Sequence, residues 1–170
     1  INIIFLLIFS NFSLSIETDL NNSDRVFKVN KNQIDTKNFE IEFKNEKIKI
    51  YGGQLILNKE KNQMQFFDDV QFFDDLNNIY IKSDDILFDK NMNIVKSKKN
   101  TVLIFNDKYK IYTSNLIYDK NNLIVYTNSE TKIEDSNNNI FNIENYFNFD
   151  LNNEIISARY LNILDKNNNS

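Results

Sequence analysis

The side chains best suited to chemistry in this sequence are three adjacent carboxylate pairs, Asp68/Asp69, Asp74/Asp75 and Asp84/Asp85. Such pairs could serve as acid and base, or hold Ca²⁺, which takes oxygen ligands. Neighbouring residues on a strand point to opposite faces, so a pair converges on one substrate only if a bulge intervenes. No EF-hand loop with its central Gly and terminal Glu surrounds them. Solvated turns and charges that guard strand edges are the better reading. The sequence has no His and no Cys, which excludes zinc fingers, thiolate metal sites, His-based triads and cysteine nucleophiles. Gly52 and Gly53 are its only glycines, so there is no glycine-rich phosphate loop. No catalytic residue, metal site or cofactor is expected, and the chain does not read as an enzyme.

The elements around these carboxylates must therefore explain the sequence. The chain has 170 residues, a net charge of −4 and a pI near 4.9. Length suits one domain of ordinary size. An acidic chain without a basic block does not suit nucleic acid. Asn, Ile and Lys number 32, 24 and 18, while Ala158 is the single alanine. That bias matches an AT-rich coding sequence, so Asn-rich patches carry little chemical information by themselves. The sequons at Asn11 and Asn21 carry equally little.

Ile3 to Phe9 reads IIFLLIF, an unbroken apolar run. It is too short to span a bilayer, which takes about 20 residues. It suits the apolar region of a secretory signal, with Ser13 and Ser15 as a small-x-small cleavage site. Residues 1–15 are therefore read as a signal peptide lacking its basic start, and the mature protein as exported. A hydrophobic first strand is the alternative.

The remainder is periodic. Leu57-Asn58-Lys59, Phe88-Asp89-Lys90, Tyr118-Asp119-Lys120 and Phe149-Asp150-Leu151 recur at intervals of 31, 30 and 31 residues. Two residues before each lies another large apolar residue: Leu55, Ile86, Leu116 and Phe147. Further back sit alternating pairs, Ile48/Ile50, Ile79/Ile81 and Tyr109/Ile111. Clusters of Asn and Asp separate runs rich in Ile, Val, Phe, Tyr and Thr. Asn and Asp tolerate left-handed backbone and bond their own main chain, so they replace Gly in turns. The runs between them favour strands. The pattern predicts an all-β, mostly antiparallel fold of about four 31-residue units. Short polar stretches such as Ser83-Asp84-Asp85 and Ser114-Asn115 read as bends that re-aim each strand.

Stacking these units files like residues along one apolar interior. Its lining is expected to include Ile50, Leu57, Phe72, Ile81, Phe88, Ile104, Ile111 and Tyr118. On the residues alone this interior is either a packed core or a groove for a ligand. A β-solenoid or adhesin-type surface protein would have the former. A segment of a membrane barrel is a third reading, but aromatic girdles are not evident and the turns on both sides are equally short.

The repeat resembles the OstA-like family of lipopolysaccharide transport. Its best copies are IYIKSDDILFDKNMNIV from Ile79 and YKIYTSNLIYDKNNLIV from Tyr109, and the resemblance covers roughly 48–169. The family includes the periplasmic bridge protein LptA and the N-terminal domain of the outer-membrane protein LptD. Where the family often has Gly-Asn-Val, this chain reads Asp68-Asp69-Val70, Lys99-Asn100-Thr101 and Ser129-Glu130-Thr131. The resemblance implies an open, V-shaped β-jellyroll that shelters lipopolysaccharide acyl chains without covalent chemistry. It also implies a setting in the periplasm, at the outer membrane in the LptD case. Partners would be lipopolysaccharide, an LptA-like bridge protein joined by edge-strand pairing and, in the LptD case, a membrane barrel with its lipoprotein plug. The fourth copy is looser, with Ile140 and Ile143, but Ile140–Asp165 runs on into more of the same pattern, which favours an LptD-type fragment continuing beyond Ser170. Residues 16–47 are expected to be edge strands, with Val29 and Ile41 at the joint, and 48–170 the jellyroll.

Overall fold

The computed structural model describes the backbone of residues 3–9, 12–18, 28–30, 33–58 and 60–164, and side chains from 40 to 163 except 59. Among the described residues sixteen strands make one continuous sheet, and every pairing in it is antiparallel. They are β1 (Ile3–Phe9), β2 (Phe12–Thr18), β3 (Lys28–Asn30), β4 (Gln33–Phe43), β5 (Ile48–Asn58), β6 (Gln63–Asp74), β7 (Ile79–Asp89) and β8 (Ile94–Phe105). Shorter strands follow: β9 (Tyr109–Ser114), β10 (Ile117–Asp119), β11 (Ile124–Thr127), β12 (Thr131–Asp135), β13 (Ile140–Ile143), β14 (Phe147–Asp150), β15 (Ile155–Ala158) and β16 (Leu161–Leu164). Among the described residues the one helical element is a 3₁₀ turn at Lys44–Glu46.

The long strands bend halfway, and the bends divide the sheet into two layers. Register shifts fall between Tyr51 and Gln54, Phe67 and Val70, and Ser83 and Asp85. The last of these is the polar stretch expected to re-aim the strand. Asp68, Asp69, Lys99 and Asn115 take positive φ at these bends. From β9 onward the bend severs each strand into two. One layer then comprises the C-terminal halves of β4, β6 and β8, the N-terminal halves of β5 and β7, and β9, β12, β13 and β16. The other comprises the remaining halves of β5–β8 with β10, β11, β14 and β15. Gly53 meets the β6 bend so closely that a Cβ there would lie 2.7 Å from the Cβ of Asp68. That approach requires glycine.

The Asn/Asp of the repeat has a defined task. Asn58 accepts the amide of Lys61, and Asp89 that of Met92. Asp119 accepts the amides of Asn121 and Asn122, and Asp150 those of Asn152 and Asn153. Each copy thus caps its own turn, the local side-chain bonding that suits Asn and Asp to turns. Asn62, Asn78, Asn93, Asn106 and Asn138 supply positive φ. Neighbouring turns are tied by Asn62–Asn91 and Asn93–Asn121 amide bonds of 2.7 and 3.0 Å.

Candidate functional site

The candidate site is the interior between the two layers. In one layer strand register files Ile41, Ile50, Phe72, Ile81, Leu103, Ile111 and Ile133 side by side. In the other it files Leu57, Met64, Phe88, Val95, Tyr118, Val125 and Phe149. All fourteen are buried. Rings interlock across the gap: Phe88 meets Phe43 and Phe72 edge-on, each at 6.0 Å, and Phe149 meets Phe105 at 5.7 Å. Ile86 and Leu116, equivalent in the repeat, are both fully buried in this interior.

Of the residues expected to line it, Ile50, Leu57, Phe72, Ile81, Phe88, Ile111 and Tyr118 lie inside. Ile104 does not. It pairs with Tyr80 on the outer face, in a surface groove shared with Phe73 and Asp107. Leu103 takes the inward place, between Ile81 and Ile111. Val102 to Phe105 is apolar at every position, so alternation alone cannot tell the two faces apart. The 31-residue offset from Phe72 does: it lands on Leu103. Ile41 is fully buried opposite Ile50. Val29 pairs with Ile34, and its side chain lies outside the described residues.

A polar seam follows the bends. The Ser83 hydroxyl donates to the Lys98 carbonyl at 2.9 Å, and Thr101 to Ser97 at 2.7 Å. Thr131 reaches Thr113 at 2.9 Å and Thr127 the Ser114 carbonyl at 2.8 Å. These buried hydroxyls satisfy backbone and one another where the ladder breaks.

The opposite edge is a mouth between two rows of turns. Backbone bonds among the turns run along each lip, such as Lys90 to Asn62 and Lys120 to Asn93 on one, or Asp75 to Lys47 and Asn106 to Asn78 on the other. Across the mouth, side chains meet. Lys90 pairs with Glu46, Lys120 with Asp74, and Lys108 with Glu154. Lys90 and Lys120 are the lysines of the repeat motif, whose role the strand pattern did not disclose. The signal was in the sequence as an invariant cation after each capping Asp in the second and third copies.

The three pairs differ in kind. Lys120 and Asp74 expose 9% and 0% of their side chains. Asp74 Oδ2 also accepts from the Tyr118 hydroxyl at 3.0 Å and Asn77 at 2.9 Å. Breaking such a buried network costs about 3–5 kcal/mol. Burial, and after it the charge of Asp74, hold the Tyr118 phenol well above its usual pKa of 10. Lys90 and Glu46 expose 17% and 36%, and Lys108 and Glu154 43% and 36%. Pairs of that exposure are worth roughly 0–1 kcal/mol. Lys90 also sits over the rings of Phe43 and Phe88, at 4.5 and 5.8 Å. Burial, then the charge of Lys120, pull its ammonium down to about 8.

The carboxylate pairs of the sequence disperse in the fold. Asp68 and Asp69 are both exposed at a bend, with Asp69 2.7 Å from Lys82. Asp74 and Asp85 turn inward while Asp75 and Asp84 face solvent. Among the described residues no group of three acidic side chains converges as a metal site.

Comparison with known proteins agrees with this architecture. The family model described as OstA-like protein matches residues 16–159. Among solved structures, the fold is similar to that of LptH from Pseudomonas aeruginosa, described as the LptA homologous periplasmic component of the lipopolysaccharide transport device. The TM-score is 0.64 at 14% identity, covering 72% of this chain and 96% of that one. Comparison with curated proteins finds no match.

Proposed function

The chain belongs to the OstA-like family, and from that premise we propose that it is a non-catalytic, exported lipid-transfer module that carries lipopolysaccharide through the periplasm toward the outer membrane. The observation that carries this reading is the mouth. The two facing files are apolar and the buried hydroxyls are gathered at the bends, yet along the opposite edge the described cross-mouth bonds are made by side chains. A closed solenoid core would not need such an edge. Opening it exposes two apolar files between which acyl chains fit, with sugars and phosphates left in water. Each buried CH₂ contributes about 0.8 kcal/mol. Ile50, Leu57, Phe72, Ile81, Phe88, Ile111 and Tyr118 are the proposed lining.

Export is supported by the family match, which begins at Ile16, directly after the proposed signal of residues 1–15. Assembly follows from the sheet's ends. Removal of residues 1–15 takes away β1 and the Ser15–Glu42 pairing of β2, and β4 is then covered only by β3, through Lys28–Asp35, Val29–Ile34 and Asn30–Gln33. The last strands expose Ile155, Leu161 and Ile163. Free edges template further strands. The proposed partner is an LptA-like bridge protein added strand to strand at the N-terminal edge, in either an LptA-type or an LptD-type setting.

Photo-crosslinking residues at Phe88 and Ile111 in the exporting cell test the lipid reading. Lipopolysaccharide adducts at both positions are expected. Adducts at neither, with export intact, would refute it and favour a purely structural role. Val29→Pro, which removes a backbone donor from the edge, should abolish crosslinks to the bridge partner while the later repeats stay folded. Ile41 is less suited to this test because it belongs to the core.

A further inference from the structure

We propose that Lys90, backed by Lys120, is the binding site for the anionic head group of the carried amphiphile, and that the Glu46 carboxylate occupies that site when the mouth is closed. The inference rests on the lipid-transfer reading and adds the chemistry of recognition to it.

The position of Lys90 supports it. The residue projects from the β7–β8 turn into the mouth, half-buried, with its ammonium over the rings of Phe43 and Phe88. Phe88 belongs to the apolar file that the acyl chains would replace. Cation and apolar surface therefore meet at one point, which is the arrangement an amphiphile presents in mirror image: acyl chain below, anion above. Lys120 stands on the same lip and is close enough for its charge to weigh on Lys90. Lys120 is already committed to the buried Asp74 network. Lys90 is compensated by Glu46, a half-exposed carboxylate on a short 3₁₀ turn.

The Glu46 Oε1 paired with Lys90 stands where a phosphate oxygen would stand. A phosphate carries more charge and more acceptor oxygens, and charge-assisted bonds to it are strong. Exchange of Glu46 for a phosphate keeps Lys90 paired and removes a bond across the mouth. Head-group binding and opening are then one event. The deep Lys120–Asp74–Tyr118 network differs because its partners are buried, so its carboxylate is not the one exchanged for the head group.

The test uses two lipids with identical acyl chains, lipid A and lipid A with its phosphates removed, and measures binding to the full chain by fluorescence. Glu46→Gln should tighten binding of phosphorylated lipid A about fivefold, the worth of a partly exposed ion pair. Lys90→Gln should weaken it about tenfold, and Lys90→Arg should retain it. Lys90→Gln should not weaken the dephosphorylated lipid, Lys90→Arg should leave it within twofold, and Glu46→Gln should tighten it no more than it tightens phosphorylated lipid A. Equal weakening of both lipids by Lys90→Gln would overturn the proposal, as would unchanged or weakened lipid A binding in Glu46→Gln. In either case, dephosphorylated lipid still bound by the unaltered chain leaves the transfer reading standing. Failure of the unaltered chain to bind either lipid overturns that reading and this proposal together.

Discussion

Replacing Phe88 by Ala tests whether the resting interior is packed or hollow. The ring is fully buried, contacts Phe43 and Phe72 edge-on, and lies under the Lys90 ammonium. Burial of a Phe side chain is worth about 1.5–3 kcal/mol by area alone. Each edge-on ring pair adds roughly 0.5–1.5 kcal/mol, and these terms overlap rather than sum. Phe→Ala in a core with residual cavity costs about 3–5 kcal/mol. The expected loss is about 4 kcal/mol. With a urea slope of about 2 kcal/mol per molar, the midpoint falls by about 2 M. Urea unfolding followed by circular dichroism measures it, with Phe88→Leu as a control that retains most of the volume and loses about 1.5 kcal/mol or less. A loss below about 1.5 kcal/mol for Phe88→Ala, with the slope unchanged, would mean that the ring faces open space. The description of a closed, filled interior would then be wrong.

Lys120→Met strands a buried Asp74 carboxylate, so about 3–5 kcal/mol should be lost in the same assay; the double variant with Asp74→Leu should recover much of it, and no recovery would show that the cost is one of packing. Gly53→Ala forces a Cβ against Asp68, and a melting temperature lowered by several degrees is expected, whereas an unchanged value would show that the bend can shift at little cost. The Tyr118 phenol keeps its proton in the folded chain above pH 10 while the unfolded chain releases its own. The folded state then binds more protons, so this residue lowers stability as pH rises past 10. Tyr118→Phe should flatten that loss in chemical unfolding measured between pH 9 and 11, and an equally steep loss in the variant would refute the assignment.

The repeat made most of the fold legible. The spacing of Leu57, Phe88, Tyr118 and Phe149 marked one file of the interior, and the Asn/Asp after each marked a turn that the side chain caps itself. The polar stretch at Ser83-Asp84-Asp85 identified a bend because Ser83 and Asp85, buried on either side of the exposed Asp84, break the apolar alternation where the register shifts. Legibility failed where alternation was degenerate. Val102-Leu103-Ile104-Phe105 is apolar on both faces, and cross-strand pairing with Ile81 and Ile111 decides for Leu103. The mouth was illegible for a different reason. Glu46 and Lys90 are 44 residues apart, Asp74 and Lys120 46, and Lys108 and Glu154 46. Their pairing follows from closure of the two layers, which no local pattern encodes.

A filled interior and a lipid carrier are compatible once the two edges of the fold are compared. The bend edge is covalently continuous through β5 to β8 and is lined by buried hydroxyls that bond to backbone and to each other. These bonds do not involve the opposite layer's apolar file, so they persist if the layers part. Among the described residues, two partly exposed ion pairs and one buried network cross the mouth. Parting the layers uncovers apolar surface on both files, at about 25 cal/mol per Å². In water that cost keeps the mouth closed. An inserted acyl chain covers the same surface again and brings its own out of water. The net balance then depends on the lipid's chains and on what replaces the carboxylates at the lips. Because the lining repeats from one unit to the next, a chain can move along it without any one position binding it much more tightly than its neighbour. On the proposed reading, directional transfer along such a track has to come from what lies at its two ends, where the proposed partner strands would add.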